Sequence, residues 1–170
     1  MTTQNRNYKI MPYDPKWPKL FTEESSKIRK LIGDNISEIY HIGSTSVPGM
    51  SGKATIDMLL VVDDISKIND QIADLEKIGY KSRGARNSKN SHLFEKEING
   101  NRIFILHFYQ KGGPEISQMI AIRDNLRKYR VKADEYSKYK LDLVKEFPND
   151  YGQYRKHKDK YMEKFIKEIE

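Results

Sequence analysis

Residues Thr55 to Val62, Thr-Ile-Asp-Met-Leu-Leu-Val-Val, form a nearly continuous apolar run broken by one acid, and no other stretch constrains the fold as tightly. Length and apolarity predict a well-buried strand. A second strand is predicted over Ile36 to Ile42. Between the two runs a loop of small and hydroxyl residues begins at Gly43 and leads to a lysine, Lys53. An acid inside an apolar strand is costly to bury unless it is paired or bound to a metal. Strand alternation puts Thr55, Asp57 and Leu59 on one face. Asp57 is therefore the leading candidate for a functional carboxylate, with a structural hydrogen-bonding role as the alternative.

The loop has the chemistry of a phosphate cradle. Gly43 lets the backbone leave the strand at unusual angles, and Ser44, Thr45 and Ser46 supply hydroxyls and N–H donors. Pro48-Gly49 suits a type II turn, and Lys53 can neutralise a phosphate. The loop is not a P-loop, because Val47 stands where that motif needs glycine and Ala54 where it needs a hydroxyl residue. A structural turn is the competing reading. Three consecutive hydroxyl residues before a turn that needs none of them favour function.

Around these lie extended and helical segments. Pro12, Pro15 and Pro18 punctuate the lead-in, and Trp17 starts a helix whose apolar face reads Leu20, Phe21, Ile28, Leu31 and Ile32, with Gly33 as its stop. Ile68, Ile72, Leu75 and Ile78 give a second helical stripe closed by Gly79, followed by a short strand from Tyr80 to Arg83. Ser91 to Ile98 and Arg102 to Tyr109 flank Asn99-Gly100, the signature of a tight hairpin. Beyond Gly112-Gly113-Pro114 the pattern is helical throughout. This order predicts an α/β (α+β) fold, a mixed sheet backed by helices with a helical C-terminal half. At 170 residues the chain suits one domain, with a sheet core over residues 1–112 and a helical part over 113–170.

Composition narrows the partners. No apolar run approaches membrane-spanning length, residues 1–7 lack a signal-peptide core, and there is no cysteine. The expectation is a cytoplasmic chain without disulfides, thiolate metal sites or a cysteine nucleophile. A net charge of +7, with a surplus of lysine and arginine in the C-terminal helices, favours an anionic partner. Solvated helix faces are the ordinary explanation of that surplus. RNA ranks last as a partner, since no aromatic platform or RNA-binding motif accompanies the charge.

Two further groups could carry chemistry. His107 interrupts the apolar run Phe-Ile-Leu-His-Phe-Tyr and would lie near Asp57 in a sheet, although a lone strand histidine is more often a satisfied core residue. His41, just before the glycine turn, has similar standing; His92 and His157 have weaker claims. Arg123 and Arg127 share a helical face, and Tyr136 and Lys140 repeat that spacing on the next helix. Together they could grip a polyanion. Salt bridges to Asp124, Asp134 or Glu135 are the alternative.

Taken together, Met11 to Pro18, His41 to Asp57, Arg123 to Arg127, and Tyr136 with Lys140 resemble the GrpB family of the polymerase-β-like nucleotidyltransferase superfamily. The resemblance covers nearly the whole chain. It implies a Gly-Ser turn holding nucleotide phosphates and two or three carboxylates holding Mg²⁺ for attack on a phosphate. Asp57 matches one acid of the expected pair, leaving Thr55 or Leu59 in place of the other, and His107 or a neighbour takes the third position. Glu95 and Glu97 are acids that could complete the set. Ala54 replaces the family's usual proline, and Ile122 its usual phenylalanine. The expected function is binding of a nucleotide or phosphorylated small molecule, with Mg²⁺-dependent nucleotidyl transfer to a small acceptor. The alternative is a binding module that kept the phosphate cradle and lost the two-metal site.

Overall fold

Pro18 in its first turn pre-sets the backbone for α1 (Trp17–Ile32), which runs on into a 3₁₀ turn over Gly33–Asn35. The structure, a computed structural model, describes residues 8–86 and 88–169, so residues 1–7 lie outside it. The buried face of α1 is Trp17, Glu24, Ile28 and Ile32, whereas Leu20 and Leu31, expected on that face, are each 37% exposed. An acid takes a core position because partners wait for it. The Tyr80 hydroxyl and the Lys96 ammonium each donate to Glu24 Oε1 at 2.9 Å. Periodicity alone does not reveal those partners, which arrive from distant strands.

The predicted strands form one five-stranded sheet: β1 (Ile36–Ile42), β2 (Ile56–Val62), β3 (Tyr80–Gly84), β4 (Ser91–Ile98) and β5 (Asn101–Gln110), in the order β1-β2-β5-β4-β3. The β2·β5 pair is parallel and the other three are antiparallel, so the sheet is mixed. Ile56, Met58, Leu60 and Val62 point to one face and join Phe94, Phe104, Leu106 and Phe108 beneath α1 and α2 (Ile72–Lys77). Met58, Leu60 and Val62 are fully buried, each contributing about 2 kcal/mol. Leu59 and Val61 point the other way and pack with Ile42, Tyr109 and the helical residues Ile116, Met119 and Ile120. Asp57 belongs to that second face.

The helix expected around Ile68 begins instead as a 3₁₀ turn, Ile65–Gln71, before α2 takes over. A spacing of three serves either geometry, which is why the sequence pattern does not separate them. At the hairpin, Asn99 (φ 52°) and Gly100 (φ 75°) both take positive φ, as a two-residue primed turn requires. A β-carbon on Gly100 would meet nothing within 4 Å, so Gly100→Ala isolates the backbone term. The expected cost is about 1 kcal/mol, or about 2–4 °C in melting temperature by calorimetry. An unchanged melting temperature would mean that the turn contributes nothing to register.

The C-terminal part comprises α3 (Pro114–Lys128), α4 (Arg130–Glu146) and α5 (Tyr151–Ile169). Val47 and Met50, from the loop after β1, are buried among Leu126, Ala133, Tyr136 and Phe165 of these helices. The proline-marked lead-in supports the loop from the other side through paired Met11–Gly52 backbone bonds of 2.8 and 3.0 Å. The loop is thus gripped between helices and lead-in. Among the described residues, no helix is long and apolar enough to cross a membrane.

Candidate functional site

Gly43 ends β1 with φ 72° and ψ −176°, a region that essentially only glycine occupies. A β-carbon there would sit 2.8 Å from Asp57 Oδ2. The loop bend and the strand carboxylate are therefore in direct apposition. The following 3₁₀ turn, Ser44–Ser46, makes its first internal bond from Ser46 N–H to the Gly43 carbonyl at 3.1 Å, which leaves the N–H groups of Ser44 and Thr45 outside its own bonding pattern. Val47 to Met50 closes a turn (Met50 N–H to Val47 carbonyl, 3.1 Å) with Gly49 at φ 75°, consistent with the expected type II geometry.

The three hydroxyls divide their work. Ser46 Oγ donates to the Gly43 carbonyl at 2.6 Å, and Thr45 Oγ1, nearly fully buried, donates to the Thr55 carbonyl at 3.2 Å. Both are spent inside the loop and are not offered outward, as a phosphate-binding role for their side chains would need. Ser44 differs. Its Oγ accepts from the Lys140 ammonium at 2.7 Å, so its own O–H remains free to donate.

Asp57 is paired with His107, whose Nε2 lies 3.1 Å from Asp57 Oδ1; the side chains are 27% and 23% exposed. Burial works to raise the Asp57 pKa, but the His107 hydrogen bond and the charges of Lys53 and Arg102 outweigh it and hold the carboxyl below its ordinary value. An ionised carboxylate only accepts, so His107 Nε2 is the donor in this pair.

His41 has a different role. It is buried, stacks on Phe21 with ring centroids 4.8 Å apart, and donates from Nε2 to Thr45 Oγ1 at 2.9 Å. Burial pushes its pKa from 6.5 down to about 4, so it stays neutral. Between those values the unfolded chain binds a proton that the folded chain refuses. Stability should therefore fall as pH drops from 6.5 to about 4, by about 2 kcal/mol. His41→Gln, followed by urea unfolding across that range, should flatten the profile; parallel profiles would remove His41 as the cause.

The other wall of the cleft is cationic. Lys53 donates to Tyr151 Oη at 2.8 Å, and burial lowers its pKa, opposed by Tyr151. Lys140, 2% exposed, donates to Ser44 Oγ and to the Ser51 carbonyl. Burial, with the charges of Lys158 and Lys53, lowers its pKa from 10.5 to about 7. Among the described residues, no carboxylate lies within 4.0 Å of either ammonium. Arg102, by contrast, is paired with Glu95, which also accepts from Arg83 Nε at 3.0 Å. Tyr151 and Arg102 had no sequence signal, since neither sits in a motif and both reach the cleft through long-range packing.

The arginines of α3 and α4 serve the loop more than the cleft. Arg123 donates to Asp124 Oδ1 at 2.7 Å and reaches the His41 carbonyl at 3.4 Å. Arg127 donates to the Ser46 carbonyl at 2.9 Å, and Arg130 donates to the Pro48 carbonyl at 2.9 Å. They clamp backbone carbonyls, a use that a sequence reading of Arg123 and Arg127 as phosphate ligands does not anticipate. Tyr136 is buried and stacked on Tyr161 at 4.9 Å, a packing position with the Lys140 ammonium 4.7 Å above its ring. A surface hollow of about 390 Å³ lies farther along the second face of the sheet, lined by Glu38, Val61, Lys111 and Ile116, and holds none of the cleft groups.

The model of the family described as GrpB protein matches residues 7–168. The chain belongs to the GrpB family. The relative named UPF0157 protein BH1888, from Halalkalibacterium halodurans, is 38% identical over 144 residues, covering 82% of this chain and 71% of its own. The crystal structure of conserved protein GrpB from Enterococcus faecalis superposes with a TM-score of 0.89 at 30% identity, covering 95% of this chain and 96% of that one. The RNA terminal uridylyl transferase Cid1 shares the fold at a TM-score of 0.53 and 9% identity, over 80% of this chain and 42% of Cid1. The GrpB chain thus has a nucleotidyltransferase-like fold.

That fold raises the question of Mg²⁺. Among the described residues, no group of three or more histidines and acids is placed to hold a metal ion. Thr55 Oγ1 donates to the Arg102 carbonyl at 2.9 Å, Leu59 is fully buried, and Glu95 is engaged by two arginines. What remains is one carboxylate, bonded to an imidazole and bordered by the charges of Lys53 and Arg102. A hard cation held by several oxygens does not fit that donor set.

Proposed function

We propose that this GrpB-family protein binds a nucleotide or phosphorylated small molecule in the cleft between the sheet and the C-terminal helices. Ser44, Lys53 and Lys140 hold the phosphate. One observation carries the reading: Lys140 is buried with no carboxylate partner among the described residues, and its ammonium reaches the cleft through Ser44. Burying a cation without a counter-ion is costly, and an anionic ligand supplies the opposite charge. Arg123 and Arg127 act indirectly, by fixing the His41 and Ser46 carbonyls on either side of Ser44.

Calorimetric titration of nucleoside 5′-phosphates and inorganic phosphate into wild type and Ser44→Ala tests this reading. Loss of the Ser44 donor should weaken binding by about tenfold. Equal affinities would place the phosphate elsewhere. A catalytic reading is favoured by the half-open Asp57–His107 pair, in which His107 Nδ1 could take the proton of an acceptor hydroxyl. Product formed from a nucleotide and an acceptor, and lost in His107→Phe, would support it; product formation unaffected by that change would sink it.

A further inference from the structure

We propose that the cleft holds a phosphomonoester dianion without any divalent cation, the ammonium groups of Lys53 and Lys140 providing the charge balance. This inference rests on the phosphate-binding reading above and goes beyond it by naming the ligand class and removing the metal. Neighbouring cations already have partners. Arg102 pairs with Glu95, Lys158 lies 2.8 Å from Asp159, and Arg123 lies 2.7 Å from Asp124. Lys53 and Lys140 are the exceptions among these cleft cations: their bonds go to Tyr151, Ser44 and the Ser51 carbonyl. Two ammonium groups without a carboxylate in direct contact among the described residues match the two negative charges of a phosphomonoester, whose arrival also favours the charged form of Lys140.

The acid side of the cleft points the same way. Asp57 is already bonded to His107 and flanked by Lys53 and Arg102, and neither neighbour on its strand face supplies a second oxygen ligand. A triphosphate brings more negative charge than two lysines balance, and normally arrives with Mg²⁺ bridged to protein carboxylates. Without the bridge, Asp57 repels a phosphate through space. Ser44 gains from the same arrangement, because its oxygen is occupied by the Lys140 ammonium and its O–H is left to donate to an anion.

Removing the acid separates the two cases. The full chain is titrated calorimetrically with inorganic phosphate, adenosine 5′-monophosphate and adenosine 5′-triphosphate, each in EDTA and in Mg²⁺. Without a metal, monophosphate affinity should agree within about twofold between buffers, Lys53→Met should weaken it about tenfold, and Asp57→Asn should tighten it about threefold. A gain of about tenfold or more from Mg²⁺, or loss of binding in Asp57→Asn, would overturn the inference and leave the phosphate site standing. Failure of all three ligands to bind in either buffer would overturn the phosphate reading and this one together. Circular dichroism of Asp57→Asn and Lys53→Met confirms that each variant is folded.

Discussion

Lys140→Met should make the protein more stable at neutral pH while removing its affinity for phosphate. A lysine that gives up its proton near 7 instead of 10.5 makes folding about 4 kcal/mol less favourable at neutral pH than an unperturbed lysine would. Against this stand the bonds to Ser44 Oγ and the Ser51 carbonyl, whose loss costs about 2 kcal/mol. The balance favours the variant by about 1–3 kcal/mol, an increase of about 3–8 °C in melting temperature. The sign reverses with pH in a checkable way. Between about 7 and 10.5 the unfolded chain binds the proton that the folded chain lacks, so wild-type stability rises across that window. The variant's advantage should shrink accordingly. Phosphate affinity of the wild type should fall as pH rises through about 7, because the anion needs the charged ammonium. A variant less stable than wild type at neutral pH, with phosphate binding intact, would show that Lys140 serves the fold and not a ligand.

Gly43→Ala should strongly destabilise the protein. Its φ of 72° with ψ −176° costs any residue with a side chain about 1–3 kcal/mol. The added carbon would also sit 2.8 Å from Asp57 Oδ2, a contact that forces the carboxylate away from His107. Together these predict a loss of about 3–5 kcal/mol and a melting temperature lower by about 10 °C. Adding Asp57→Ala to Gly43→Ala should recover the steric part and not the backbone part. No recovery in the double variant would mean that the glycine and the aspartate do not meet as described.

Much of the architecture was legible because it is written in local pattern. The apolar run of β2, the Asn99-Gly100 turn and the helix begun at Trp17 each depend on residues close in the chain, where periodicity and turn chemistry act. The departures came where a distant partner overrode the pattern. Glu24 occupies a core position because Tyr80 and Lys96 meet it there. The same distinction divides the candidate site. Asp57 and His107 stood out as polar residues in apolar strands, Ser44 as a loop hydroxyl and Lys140 by its spacing from Tyr136, and the structure brings Asp57 to His107 and Ser44 to Lys140.

Roles were less legible than identities. Thr45, Ser46, Arg123 and Arg127 have the right chemistry for phosphate, yet backbone carbonyls take up the two hydroxyls and draw in both guanidinium groups. A hydroxyl or guanidinium bonds whichever acceptor lies within about 3 Å, and sequence does not state which acceptor that is. From the residues themselves came the family, the sheet, the glycine bend and the solitary strand acid. Tertiary structure alone decided that Lys140, buried, and Lys53, half-buried, lie beside that bend with no carboxylate within 4.0 Å among the described residues, because charge balance in a cleft is set by which side chains from separate elements come within a few ångströms of one another.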